Sequence, residues 1–319
     1  MTKFEFIIGE TDESERFDDF LSTQIGAVSK MFLRNQLEKG VGSVNGESQK
    51  GGYHLKKGDF VEIEIDLSAE TAMKPEAFPL EIIFEDEEIL VVNKPAEMLV
   101  HPTRSVKSGT LQNALAFHLN RENLETLNDP DDGEKKIETN FTDHSKIQNL
   151  TPKFARPGLV HRLDKKTSGL MVIAKTERSH RILSNHFERK LVEKKYIAVV
   201  EGVVEKDFGV IEAPIGRDEN LKQWRVLENG KQAETRFRVI EKRKETTLLE
   251  LQPITGRTNQ LRIHCAFFGH PIVGDTERGG RECFRLCLHA YQLKFWHPNG
   301  NKRVEFETKL PKEMINKHE

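Results

Sequence analysis

Residues 157–175, Pro-Gly-Leu-Val-His-Arg-Leu-Asp-Lys-Lys-Thr-Ser-Gly-Leu-Met-Val-Ile-Ala-Lys, restrict the fold more than any other stretch of the chain. Two apolar runs, Leu159–Val160 and Leu170–Ala174, read as short strands, and Gly158 and Gly169 let the backbone bend at either end. The polar loop between them holds one acid, Asp164, among the cations Arg162, Lys165 and Lys166. Strands that hold such a loop rigidly would present the carboxylate at a fixed place, and nearby cations favour its ionised form. A nucleophile or a base needs that. The alternative reading is an ion-paired hairpin turn with no chemical role.

The loop sequence, His161 to Gly169, resembles the HRLDxxTSG signature of the RluA-type pseudouridine synthases, in which the aspartate is the catalytic residue. Other segments similar to that family follow in order: Asp86 to Pro95 with Val100-His101-Pro102, Lys195 to Gly202, Thr255 to His264, Gly269 to Asp275, and Leu288-His289-Ala290. The resemblance runs over roughly residues 80 to 310. It implies an α+β catalytic domain on a mixed, largely antiparallel sheet, with a small N-terminal α/β RNA-binding module. It also implies isomerisation of uridine in RNA, with Asp164, Tyr196 and Arg262 as catalytic residues. Tyr196 would stack on the flipped base, and Arg262 would pair with Asp164 and lower its pKa. Arg162 would fill the place that the extruded base leaves in the RNA stack, a task suited to a planar guanidinium. Lys165, Lys166 and Arg257 would be phosphate contacts. The reaction breaks a glycosidic bond, turns the base and rejoins it through carbon, exchanging nothing with the outside, so no cofactor and no metal is expected.

Two departures from the family pattern stand out. Position 259 is Asn where His is usual. After Gly274-Asp275 a Tyr-Gly pair is usual, but this chain reads Thr276-Glu277-Arg278-Gly279-Gly280. Cys283, Cys287 and His289 invite a zinc reading, but the spacing matches no common finger, and buried thiols explain them better.

Net charge is −2, but it is unevenly spread. Residues 1–67 carry 8 basic and 13 acidic side chains, whereas residues 157–319 carry 31 and 22, a net +9 around the Asp164 loop. A polyanion site requires that bias. In residues 1–67 the spacing of Phe17, Phe20 and Leu21 predicts a helix, and a second is expected over 30–39, capped by Ser29 and ended by Gly40. Val44-Asn45-Gly46 predicts a tight strand turn, and Asp59–Ile65 alternates like an exposed strand. This order resembles the RNA-binding module of the ribosomal protein S-four type, with Ser29, Lys30, Arg34, Lys39 and Lys50 facing RNA. A small acidic accessory domain is the other reading, since its net charge opposes backbone contact. Residues 68–79 read as a linker and residues 80–319 as the catalytic domain. Within the latter, 120–156 is a polar insertion that buries little.

Strands are expected at 81–84, 89–93, 194–201, 233–240 and 246–252, and helices at 110–120, 177–190 and 258–268. The N-terminus carries no secretory signal pattern and no apolar run is long enough to span a bilayer, so a cytoplasmic protein is expected. The resemblance implies action on ribosomal or transfer RNA, and a monomer is expected. Two other function classes compete with this one. A catalytically silent RNA-binding or ribosome-assembly factor would not need Asp164, Tyr196 and Arg262 together. A small-molecule hydrolase would need a paired carboxylate or an activated water site.

Overall fold

The computed structural model describes residues 2–25, 28, 30–66, 75–103, 105–121, 157–300 and 302–316. Ser29, most of the expected linker and nearly all of the expected insertion lie outside the described residues. The chain divides into two compact units, one of residues 1–78 with 101–157, the other of residues 79–100 with 158–319.

In the first unit, β1 (Thr2–Ile7), β2 (Gly42–Val44), β3 (Glu47–Ser48) and β4 (Phe60–Ile65) form a four-stranded sheet in the order β1-β4-β2-β3. Helices α1 (Phe17–Gln24) and α2 (Lys30–Glu38) complete its core: Phe17, Phe20, Leu21, Leu33 and Leu37 pack with Val44, Val61, Ile63 and Ile65. Both helices match the sequence expectation. The β2–β3 turn places Asn45 and Gly46 at φ 53° and 81°, a left-handed pair that Asn-Gly adopts at little cost. β4 alternates as expected but is not an exposed strand. It lies between β1 and β2, and Val61, Ile63 and Ile65 point into the core. The same unit holds α3 (Leu111–Leu119), whose first turn is closed by the side chains of Thr110 and Asn113 in a reciprocal cap.

The second unit is built on a mixed, mostly antiparallel ten-stranded sheet flanked by helices. Its elements are β5 (Glu81–Glu85), β6 (Ile89–Lys94), β7 (Gly158–Leu159), β8 (Ser168–Ala174), α4 (Glu177–Glu188), β9 (Glu193–Glu201), β10 (Phe208–Glu212), β11 (Ile215–Asp218), β12 (Gln223–Val226), β13 (Glu234–Lys242), β14 (Thr246–Pro253), α5 (Gln260–Phe267), β15 (Leu288–Trp296), β16 (Arg303–Glu307) and α6 (Lys312–Asn316). The sheet path is β10-β13-β14-β9-β15-β8-β6-β5, and β11 with β12 forms a separate hairpin. All five expected strands and all three expected helices are present, within a few residues of the expected ends.

Two packing layers support the sheet. On α5 and the residue that caps it, Leu261, Cys265 and Phe268 pack with Ala198, Leu249, Leu251 and Phe237, the stripe that the sequence spacing implies. On α4, Leu183 packs against Leu170 and Val172 of β8, which is buried along its whole length. At about 1.5–3 kcal/mol for each fully buried large apolar side chain, this region is the rigid part of the unit. The one parallel pairing on the path joins β8 to β15 at His289↔Ser168 and Ala290↔Gly169. Gly169 has φ 120°, and a Cβ there would overlap the main chain of Ala290. A glycine is therefore required where the Asp164 loop enters the sheet.

Candidate active site

The Asp164 loop spans the gap between β7 and β8 and is fixed by buried polar contacts. The Nε2 atom of His161 accepts the Val172 N–H at 3.0 Å, and the ring stacks on Phe187 with centroids 4.6 Å apart. Burial depresses His161 to about 3, so the ring is a neutral acceptor that shapes the loop. Thr167 donates its N–H to the Asp164 carbonyl at 3.1 Å. Lys94, fully buried at the end of β6, donates to the carbonyls of Pro95 (2.7 Å), Met98 (2.9 Å) and Lys165 (3.2 Å). Burial pulls this ammonium down to about 8, against the attraction of Asp164 and Glu97. Sequence reading missed this role for Lys94, although its place in the Asn-Lys-Pro segment marked the residue.

The side chain of Asp164 lines a cavity of about 500 Å³, a volume within the usual range for small-ligand sites. Tyr196 from β9, Arg262 from α5, Arg162 from the loop and Arg257 from the segment before α5 line the same cavity. Thus all three expected catalytic residues, and two of the expected RNA contacts, come together. Lys165 and Lys166 lie outside its wall: Lys165 sits 3.8 Å from Glu97, and the charge of Lys166 acts on Glu277.

The structure corrects the expected Asp164–Arg262 ion pair. Arg262 forks onto Asp275, Nε to Oδ2 at 2.7 Å and Nη2 to Oδ1 at 2.6 Å, and reaches Glu277 at 2.8 Å and Asn259 at 3.3 Å. Asp275 is buried and its two oxygens match the guanidinium fork, so it outcompetes a carboxylate on a loop. Among the described residues the Asp164 carboxylate has no direct hydrogen-bond or ion-pair partner. Its pKa is raised rather than lowered: burial dominates, and the charges of Arg262, Arg162, Arg278 and Lys94 only partly offset it. The phenol of Tyr196 is also pushed up, by burial and then by the negative charge of Asp164, so it keeps its proton. The arrangement pairs a carboxylate free to react with a protonated phenol, beneath a through-space field of guanidinium groups.

Two residues that sequence reading left without a role therefore matter here: Asp275, which holds Arg262, and Arg278, which lies in the segment after Gly274-Asp275 that departs from the family pattern. Arg278 is near enough for its charge to act on Asp164, and it bonds Glu277 at 3.1 Å. The thiols of Cys265 and Cys287 are buried and pushed up to about 12, and Nδ1 of His289 is 2.7 Å from the Ser168 hydroxyl. In the first unit, Lys30 bonds Asp19, Arg34 bonds the buried Asp18, Lys50 lies 3.4 Å from Glu38, and Lys39 is exposed. Those cations are largely engaged by neighbouring acids.

The protein-family model described as RNA pseudouridylate synthase matches residues 88–267, more than half the chain. The chain is 37% identical to an uncharacterised RNA pseudouridine synthase of Bacillus subtilis, YlyB, over 98% of this chain and 96% of that one. It is 32% identical to the ribosomal large subunit pseudouridine synthase C of Vibrio parahaemolyticus, again over 98% and 96%. Among solved structures, human RNA pseudouridylate synthase domain containing 1 superposes with a TM-score of 0.55 at 26% identity, covering 74% of this chain and 86% of that one. The chain belongs to the RluA-type family of RNA pseudouridine synthases, isomerases that act on RNA.

Proposed function

We propose that Asp164 is the group that opens and remakes the glycosidic bond of an extruded uridine in large-subunit ribosomal RNA. The observation that carries this reading is a half-buried carboxylate that has no direct partner among the described residues, in a cavity it shares with Tyr196 and Arg262. The N1–C1′ bond breaks and a C5–C1′ bond replaces it; the proton at C5 is lost and N1 ends protonated, so atoms and electrons balance without a cofactor. Arg262, Arg162, Arg278 and Lys94 supply the positive field that lets the carboxylate carry charge in a buried place. Arg162 is exposed at the cavity mouth, where its guanidinium can take the stacking position that the base leaves.

Large-subunit ribosomal RNA is preferred to transfer RNA because relatives over nearly the whole length of the chain are named for that substrate. Residues 1–67 are assigned as an RNA-holding module of the S-four type. Their contribution is small, because Lys30, Arg34 and Lys50 already face acids, and Lys39 and Lys50 are the exposed cations of the expected set among the described residues. The enzyme works as a cytoplasmic monomer. Mapping pseudouridines in RNA from cells with and without this gene tests the assignment. Ribosomal sites that vanish with the gene, and return with the wild-type chain but not with Asp164→Asn, support it. An unchanged ribosomal map rejects it. On the same reading Arg162→Ala lowers the rate on folded RNA more than on an unstructured strand, and equal losses would remove the stacking role.

A further inference from the structure

A second cavity, of about 560 Å³, opens beside the first, between α5 and the β11–β12 hairpin. Asn259 lines both. It precedes α5 in the left-handed region at φ 54°, which asparagine tolerates better than other residues with a side chain. Its place in the wall is where the family pattern has histidine.

The lining of this cavity is not that of a core void. Phe267 stands on the outer face of α5 with 59% of its surface exposed. Trp224 on β12 is half-buried, with part of its ring packed among Ile215, Ala233 and Ile263. Three cations, Lys222, Arg225 and Arg278, line the same cavity. One acid, Glu277, lies among them, but it is already bonded to Arg262 and Arg278. Arg225 has a distant partner in Asp218 at 3.4 Å, and Lys222 is exposed at the hairpin turn. Arg278 ties the parts together: it donates to the Trp224 carbonyl at 3.5 Å, approaches Asp275 at 3.7 Å, and its charge is felt by Asp164.

Aromatic faces flanked by cations, in an open recess, are what a single-stranded base and its phosphate require. An apolar peptide would gain little from three cations, and an acidic one would leave the aromatic surfaces bare. We propose that this cavity is a second base site, which takes an unpaired nucleotide next to the extruded uridine and stacks it on Trp224 and Phe267, with Arg278 coupling it to the catalytic cavity. A neighbouring nucleotide held here would fix the direction in which the strand leaves Asp164 and so help to choose the target uridine. The inference rests on the ribosomal RNA reading given above.

The test uses the full chain and total ribosomal RNA from cells lacking the gene, with pseudouridine formation followed against RNA concentration. Stacking of one base corresponds to roughly 5- to 150-fold in affinity. Phe267→Ala and Trp224→Ala should each raise KM by an amount in that range while kcat stays within about threefold, and Trp224→Phe, which keeps a ring, should recover most of the loss. Because Phe267 is exposed, its alanine variant decides the matter even if Trp224→Ala folds poorly. KM unchanged in Phe267→Ala, or a loss confined to kcat, overturns the second site. If the wild-type chain itself makes no pseudouridine in this RNA, the ribosomal assignment has failed and the inference falls with it.

Discussion

Each of the two units holds an aspartate beside arginines, one buried and one half-buried, and the pKa values of the two acids are shifted in opposite directions. Asp18, at the start of α1, is fully buried and is bonded directly by Arg16 at 3.0 Å and by Arg34. Burial pushes its pKa up, but those hydrogen bonds outweigh it, so the group ends below the ordinary aspartate value. Asp164 has more cations around it, Arg262, Arg162, Arg278 and Lys94, yet none bonds it, and burial wins. The difference lies in who holds the guanidinium groups. In the first unit they bind the aspartate itself. In the catalytic unit Asp275 and Glu277 take Arg262 and leave Asp164 with its charge but not its contact. A carboxylate with saturated oxygens is a structural part, whereas one left bare can attack or accept a proton.

The largest effect that would sharpen this contrast comes from removing the bare carboxylate. Asp164→Asn should cut pseudouridine formation by at least about 10⁴-fold, as loss of an essential reacting group does, while RNA affinity stays within a few-fold. Turnover near the wild-type rate would break the comparison outright. Next comes Arg262→Ala, which strips the buried Asp275 of its fork. Removing one partner of such a pair costs about 3–5 kcal/mol, read as a lower denaturation midpoint of the catalytic unit together with lost activity. Arg262→Lys should recover little, since an ammonium cannot reproduce the two parallel bonds to Asp275.

Much of this was legible in the chain itself. Ile89–Val92 and Leu170–Ala174 are continuous apolar runs, and the α5 stripe keeps helical spacing, so their identity needs only local pattern. β15 is different. It lies in the middle of the sheet, but a bulge between Ala290 and Gln292 breaks the alternation, and its partners β8 and β9 are far away in sequence. The short strands β10 to β12 have too few residues for periodicity to mark them. For the site, the positions of Asp164, Tyr196 and Arg262 in one cavity followed from the motifs. The partner of Arg262 did not, because three acids compete for it, and only the turn at Gly274 brings Asp275 into bidentate register. The ring of Trp224 against α5 depends likewise on how a hairpin folds back.

Smaller effects refine the contrast. Asp18→Asn loses charged hydrogen bonds from Arg16 and Arg34 and should cost the first unit about 1–3 kcal/mol, with turnover in the catalytic unit unchanged. The wild-type contribution is present above pH 3.8, the unfolded value, and is lost as pH falls through the lower folded value. Asp164 has the opposite sign. Its folded pKa is raised, so the term that favours folding is present below pH 3.8 and is lost as pH rises through the folded value. At neutral pH the ionised group therefore costs stability, and Asp164→Asn should stabilise the catalytic unit by roughly 0.5–2 kcal/mol, as single stabilising changes do, read as a higher melting midpoint. A lower midpoint in that variant would mean that the carboxylate has a partner after all.

The most direct test is a carbon-detected NMR titration of the carboxyl groups of Asp18 and Asp164 in the same sample of the wild-type chain. An Asp164 signal that moves at a pH above 3.8, with the Asp18 signal still unmoved until below it, is the expected result. An Asp164 that titrates below the ordinary value, as a directly paired carboxylate does, would contradict the claim that this acid is kept bare for chemistry.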